Sequence, residues 1–342
     1  MMQRENNLAE SIDLSANKSS VLRATPLVGI DARIVGYNNS GIGRYFWGLL
    51  EGLSHLRSDI HYEIYLSRKK QVPAPTNSRF GYKYLFTPPH NLFEQFLMPI
   101  ELQRSRCQLF HGMDFYIPSC VELPQICSVY DLYFLQEPKT HSKDSFRYYN
   151  RICHYAEMAK HIICPSHSTK KDLLERTGVA DKNVSVVYPG LLFQERRNDS
   201  QPINKYRLAK PFILFVGTIE PRKNIVRLLQ AYKHAKQTTA KKLPQLVLVG
   251  RKGYQGAEIL DHIDALGIQS DVIYLGELVD FEVNALYREA LFVAYPSLYE
   301  GFGFPLLEAM AANTPVLTSN CSSIPEVVGD AGYLAEPKCV ES

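Results

Sequence analysis

Glu300 and Glu308 stand eight positions apart in the run YEGFGFPLLE, which follows directly on the apolar run LFVAYPS. A strand that empties into a loop with two glycines, then a proline, then a helix points backbone N–H groups and a partial positive charge outward. Pro305 suits the first helical position. Gly301 and Gly303 leave room for a ligand to approach the backbone, and Glu308 falls on the first helical turn with Glu300 in the loop before it, so both carboxylates face one cleft. Beside a pyrophosphate they would repel it. The chemistry they suit is therefore the acceptance of hydroxyl protons from a nucleotide sugar, Glu308 on the ribose and Glu300 on the sugar. Taken without their neighbours, the same two residues read as a solvated loop side chain and an ordinary glutamate of a first helical turn.

A second group, Gly217 to Lys223 (GTIEPRK), follows the strand run FILFV and precedes a helix beginning near Asn224. Breaking a glycosyl–phosphate bond builds negative charge on the departing diphosphate, which fixed cations in a dry cleft stabilise. Arg222 can fork two phosphate oxygens, and Lys223 supplies a point charge. A surface charge cluster with Glu220 is the alternative. In the amino-terminal half, the loop Ser40-Gly41-Ile42-Gly43-Arg44 joins the first strand to its helix, and Gly41 and Gly43 are its candidate ligand contacts. Glycines in such loops also serve packing alone. His111 in LFHG and Asp131 in SVYDL end strand runs on the edge that would face the cleft, and His111 reads equally well as a satisfied core histidine. An oxidoreductase is disfavoured, because no G-x-G-x-x-G with a later acidic residue follows the first strand. No carboxylate pair gives a retaining hydrolase geometry that sequence can verify, which leaves direct transfer with Arg222, Lys223 and Glu300 as its catalytic candidates.

These residues need two sheets to hold them. Short apolar runs alternate with amphipathic helical stretches, the pattern of parallel sheets covered on both faces, and the pattern occurs twice. Strands are expected near 28–34, 61–66, 83–87, 106–110, 126–130, 161–165 and 184–188, then near 212–217, 245–249, 271–275, 291–294 and 315–318. A helix from Gly41 places Ile42, Tyr45, Phe46, Leu49, Leu53 and Leu56 on one stripe. A second stripe carries Ile225, Leu228, Leu229 and Tyr232. The polar stretch FQERRNDSQPINKYRLAKP marks a linker. The expected division is a flexible leader over 1–26, a Rossmann-like domain over 27–195, a linker over 196–210 and a second Rossmann-like domain over 211–342.

A chain of 342 residues with 45% apolar content is expected to bury two cores. A net charge of +3 without a basic run interleaved with aromatics argues against nucleic acid as a partner. Seven cysteines without C-x-x-C spacing suit a reducing, cytosolic compartment and suggest no metal site. The polar start lacks the apolar core of a signal peptide, and no apolar run reaches bilayer length. The stretch NLFEQFLMPIELQR mixes apolar, aromatic and basic residues as a helix on a membrane surface does, and as a core helix with a charged end also does.

The run from Tyr274 to Pro337, with its E-x7-E element, resembles the donor-binding region of retaining family-4 glycosyltransferases. VGTIEPRKNIVRLL, GIDARIVGYNNSGIGRYFWGLL and PSHSTKKDL resemble further segments of that family, in particular of its bacterial mannosyltransferase-like members. The resemblance implies two Rossmann-like domains facing across a cleft, the GT-B architecture. It also implies a donor site of Gly217, Gly276, Leu278, Glu300, Gly301, Phe302, Gly303, Phe304, Leu307 and Glu308, with Lys223 as the diphosphate lysine. Many relatives carry an arginine directly after the strand glycine, where this chain has Thr218, and Arg222 is the candidate for that role. Tyr130 stands where relatives have a histidine before Asp131. The implied reaction is metal-independent and retaining, with GDP-mannose or a UDP-sugar as donor and a saccharide or lipid-linked saccharide as acceptor. Relatives continue past the position of Ser342. The expectation is a second domain incomplete at that end, prone to oligomerise there, or a non-catalytic sugar-nucleotide binder that needs a partner chain.

Overall fold

The computed structural model describes residues 25–36, 41–69, 76–91, 93–136, 149–191 and 201–342. The leader up to residue 24, Ser40 and residues 196–200 of the expected linker lie outside them.

The first sheet comprises β1 (Leu27–Asp31), β2 (His61–Ser67), β3 (Phe80–Leu85), β4 (Leu109–Gly112), β5 (Gln125–Ser128), β6 (His161–Cys164) and β7 (Val184–Val186). The second comprises β8 (Phe212–Val216), β9 (Gln245–Val249), β10 (Val272–Tyr274), β11 (Phe292–Tyr295), β12 (Val316–Ser319) and β13 (Gly332–Ala335). Their spatial orders are β3-β2-β1-β4-β5-β6-β7 and β10-β9-β8-β11-β12-β13. Every pairing is parallel, as between Ile30 and Ile64 or Leu214 and Val247. Both sheets are thus wound outward in two directions from a central pair, β1 with β4 and β8 with β11. Ligands of such sheets sit at the carboxyl ends of the strands where that direction reverses.

The helices are α1 (Gly41–His55), α2 (Glu94–Leu102), α3 (Tyr133–Gln136), α4 (Ile152–Met158), α5 (His167–Arg176), α6 (Gln201–Lys205), α7 (Ile225–Thr238), α8 (Gly256–Ala265), α9 (Asp280–Glu289), α10 (Phe304–Ala311) and α11 (Ile324–Val328). Two clusters fill opposite faces of the first sheet, one around Ile30, Phe46 and Ile64, the other around Phe110, Tyr155 and Ile162. One cluster, from Ile203 to Val328, fills the second domain and takes in Ile203 and Leu208 of the expected linker.

Twelve strands coincide with the apolar runs; β13 does not follow from them. It is an edge strand with Tyr333 exposed, and its short GYLA segment carries no two-sided apolar signal. The α1 stripe buries Tyr45, Phe46 and also Leu50, whereas Leu56 lies past the end of the helix and is exposed. Helix α6 falls inside the expected linker, where Lys205 and the Tyr206 hydroxyl both donate to Glu282 of α9. Helix α10 begins at Phe304, because Gly303 takes a φ of 112° that turns the chain straight into it. Pro305 is therefore its second residue, and Glu308 opens the second turn rather than closing the first. Among the described residues no helix is long and apolar enough to cross a membrane.

Candidate active site

The carboxyl ends of both sheets open onto one cleft of about 1190 Å³. Strand β8 delivers Gly217 to its floor, and a short 3-10 turn over Pro221–Lys223 holds the two cations there. Strand β11 delivers Tyr295 and the loop bearing Glu300.

Glu300 is the centre of the second domain's wall. Its Oε1 accepts from Lys223 Nζ at 2.5 Å and from the Tyr295 hydroxyl at 2.8 Å, and its Oε2 accepts from Arg222 at 3.0 Å. Burial opposes the charge on this carboxyl, but Lys223 and Arg222 outweigh it and hold the pKa down at about 2. Burial and the neighbouring guanidinium together pull Lys223 below the ordinary lysine value, against Glu300. Arg222 also binds Glu220 at 2.9 Å and the Tyr299 carbonyl at 3.2 Å, so most of its fork is committed to protein. Lys223 further donates to the Tyr295 hydroxyl at 2.7 Å.

Glu308 lies on the same side of the cleft, buried, where its Oε2 accepts from the Tyr287 hydroxyl at 3.1 Å and its Oε1 pairs with Arg44. Arg44 comes from α1 of the first domain and reaches Asp280 of α9 at 3.2 Å as well, so it bridges the cleft.

The first domain's wall is aromatic. Tyr130, Tyr133, Phe134, Phe115 and Tyr149 line it together with Asp114 and Asp131. Asp131 accepts the Tyr133 N–H at 3.2 Å. The Tyr133 ring lies 5.5 Å from that of Tyr299 and beneath the Arg222 guanidinium, 5.8 Å from its carbon.

The two walls also touch through polar contacts. Ser166 caps α5 by accepting the Thr169 N–H at 3.0 Å, and its hydroxyl donates to the Gly301 carbonyl at 2.7 Å. Glu326 of α11 accepts the N–H groups of His167 and Ser168 at the start of α5, at 2.8 and 3.3 Å, and the Tyr188 hydroxyl at 2.8 Å. A Cβ on Gly301 would come within 1.9 Å of the Tyr130 carbonyl. Glycine is needed at 301 for this approach between domains rather than to admit a ligand to the backbone.

Of the residues singled out from the sequence, Gly41, Asp131, Gly217, Arg222, Lys223, Leu278, Glu300, Gly301, Phe302, Gly303, Phe304 and Glu308 line the cleft. Gly43, His111, Gly276 and Leu307 do not. His111 is a core residue: it is buried on β4, its Nε2 lies 2.9 Å from Ser128 Oγ, and burial pushes its pKa down to about 4. Gly43 is buried in α1, off the Gly41, Arg44 and Tyr45 face that meets the cleft. Gly276 makes a turn with a φ of 74° and accepts the Gly250 N–H at 2.8 Å. Leu307 does not line the cleft, which Phe304, Pro305 and Glu308 of α10 meet. Arg44, Arg251 and Tyr295 were not singled out, yet they line the cleft. Arg44 directly follows the glycine loop and could have been found there, whereas Tyr295 is indistinguishable from core in an apolar strand run.

Residues 39–191 match the family described as Glycosyltransferase Family 4, and residues 196–342 match Glycosyl transferases group 1. O-antigen chain mannosyltransferase B of Escherichia coli is 30% identical over 329 residues, covering 90% of this chain and 86% of that protein. The serotype-specific mannosyltransferase WbdA of Escherichia coli is 31% identical over 227 residues, which cover 63% of this chain and 28% of WbdA. Among solved structures, Anabaena HepE in complex with UDP and glucose aligns with a TM-score of 0.70 at 16% identity, covering 92% of this chain and 87% of that one.

Proposed function

The chain belongs to the glycosyl transferases of group 1 and family 4 and has the GT-B fold, and from that premise we propose that it moves a mannosyl group from a sugar nucleotide to a saccharide acceptor with retention of configuration. The observation that carries the reading is the meeting of Lys223, Arg222 and Glu300 at the carboxyl end of the second sheet, beside the amino-terminal end of α10. The diphosphate of the donor lies against Lys223 and that helix end. The sugar lies against Glu300, and the ribose hydroxyls lie against Glu308, which gives up its Arg44 contact. The acceptor hydroxyl attacks the anomeric carbon from the face the diphosphate leaves. As that carbon–oxygen bond breaks, the hydroxyl proton passes to the departing phosphate oxygen, so charge accumulates where the Lys223 ammonium already stands. Arg222, bound to Glu220 and Glu300, holds the carboxylate in place more than it meets the phosphate. Closure of the two walls excludes the water that would hydrolyse the donor.

GDP-mannose is the favoured donor, supported by the two mannosyltransferase relatives, with a UDP-sugar as the alternative. The acceptor is a saccharide carried on a lipid, met at the cytoplasmic membrane face; the seven free cysteines suit that compartment. Incubating the protein with labelled GDP-mannose or UDP-sugars and a membrane fraction identifies the donor, and NMR of the product gives its anomeric configuration. Inversion would overturn the scheme.

A further inference from the structure

Helix α2 carries two apolar faces. Met98, Leu102 and Pro99 pack inward, while Phe93, Phe96, Leu97 and Ile100 are 65%, 70%, 46% and 60% exposed. Offsets of three, four and seven residues set these four on a single outward stripe. Phe86, at the end of edge strand β3, adds a fifth exposed ring at 66%, with the Arg68 guanidinium 4.3 Å above it. Scattered single apolar side chains are ordinary on a protein surface; five adjoining ones mark a surface that something covers.

The charge around the stripe says what. Both carboxylates of α2 are engaged by the protein: Glu94 is buried against Arg33, and the half-buried Glu101 accepts the N–H groups of Phe86 and Thr87 at 2.7 and 3.3 Å. The chain leaving the helix carries Arg104 and Arg106, both exposed, and Lys69 is exposed beside Arg68. An apolar ridge whose own acids are held in an ion pair and in backbone hydrogen bonds and which is bordered by cations is complementary to a bilayer surface with anionic headgroups. We propose that the outer face of α2 and the end of β3 seat the first domain on an anionic membrane surface, with Phe93, Phe96, Leu97, Ile100 and Phe86 entering the headgroup boundary.

The stripe also lies close behind the acceptor wall. Glu94 and Asp31 share Arg33 at the carboxyl end of β1, and His90 binds Asp114, which lines the cleft, at 2.7 Å. The docking surface therefore deepens the proposal of a lipid-linked acceptor, since the membrane would lie beside the wall that takes it.

The test is co-sedimentation of the full chain with vesicles of phosphatidylcholine alone or mixed with phosphatidylglycerol, without sugar nucleotide. Expected are binding that requires phosphatidylglycerol, release by salt, and a loss of about tenfold or more in Phe96→Asp/Ile100→Asp. Arg104→Glu/Arg106→Glu should abolish the salt-sensitive part. All four side chains are exposed, so melting temperatures should stay at the wild-type value. No binding at any composition, binding that survives both double variants, or a dimer in light scattering that Phe96→Asp/Ile100→Asp dissolves would each overturn the proposal, the last by assigning the stripe to a second copy. Turnover with a water-soluble saccharide reports the transferase reading separately, so either can fail without the other.

Discussion

The two walls of the cleft come from sheets wound in the same way, yet they are chemically unlike. The second domain's wall is ionic: Arg222 and Lys223 against Glu220 and Glu300, two charges of each sign knitted into one network. The first domain's wall presents Tyr130, Tyr133, Phe134, Phe115 and Tyr149, with two carboxylates among them. A diphosphate leaving group needs charges fixed before it forms; a neutral saccharide needs ring faces to stack on and acceptors for its hydroxyls. Topology sets where the ligands go, and the loop residues set which ligand each wall takes.

The comparison breaks most easily at Glu300. Glu300→Gln removes the counter-charge of the buried Lys223 and leaves the half-buried Arg222 paired with Glu220 alone, so stability should fall by about 3 kcal/mol and transfer by about 10³-fold. Urea denaturation and donor turnover measure the two effects. A variant as stable as wild type would show that the ionic network is dispensable scaffolding. Wild-type turnover would remove Glu300 from the reaction altogether.

Acid separates the walls next. Glu300 and His111 are both held below their ordinary values, at about 2 and about 4 against 4.5 and 6.5. The unfolded chain then binds more protons than the fold within those windows, so each group favours the fold at higher pH and loses that contribution on acidification. His111, behind the aromatic wall, should lose roughly 3 kcal/mol between pH 6.5 and pH 4, and Glu300 a similar amount between pH 4.5 and pH 2. Glu94, pushed up to about 7 by burial against the pull of Arg33, works in the opposite sense. The informative quantity is thus the stability difference between wild type and His111→Gln. If that difference is flat from pH 6.5 to pH 4, His111 is not buried as a neutral ring.

How much of this could be read from the residues differs between the walls for the same reason. The second domain's site is local: Glu300 to Glu308 and Gly217 to Lys223 are two short runs at strand ends, and types and order alone mark them as a pair of loops over one crevice. What escaped was what lies between segments. Tyr295 sits in an apolar run, and nothing in that run shows that its hydroxyl joins Lys223 to Glu300. Gly301 announces a close approach without saying that the neighbour is the Tyr130 carbonyl of the other domain. On the first wall, His111 carries a chemistry-bearing side chain at a strand end, but strand alternation aims it inward at Ser128. Strand β13 escaped because its GYLA segment, with Tyr333 and Leu334 exposed, has no apolar run of the kind that the other edge strands β3, β7 and β10 carry.

A smaller effect is expected on the aromatic wall. Tyr149 packs its ring 5.2 Å from Phe134 and 5.9 Å from Phe115. Tyr149→Ala should raise the acceptor KM about tenfold while leaving the donor KM unchanged, the reverse of what a lesion in the ionic wall does. A rise in donor KM of equal size would show that the two walls do not divide the substrates between them.

The smallest effect concerns how the walls are held together. Glu326 belongs to the second domain, and its carboxylate sits on the positive end of α5 in the first, with Tyr188 completing the contact. A charge at an exposed helix terminus contributes about 0.5–1 kcal/mol, and Glu326→Gln keeps the shape while removing the charge. If the closed cleft is the state that binds donor, the apparent affinity falls with the closed fraction, by up to about fivefold for that energy. Donor KM should therefore rise a few-fold, kcat should change little, and the radius of gyration from solution scattering should increase when donor is absent. Tyr188→Phe, which removes one hydrogen bond and no charge, should do less. Unchanged KM and unchanged scattering in Glu326→Gln would mean that the walls are held by the Gly301 carbonyl on Ser166 and Thr169 and by Tyr299 on Asp172, contacts that carry no net charge to the helix end.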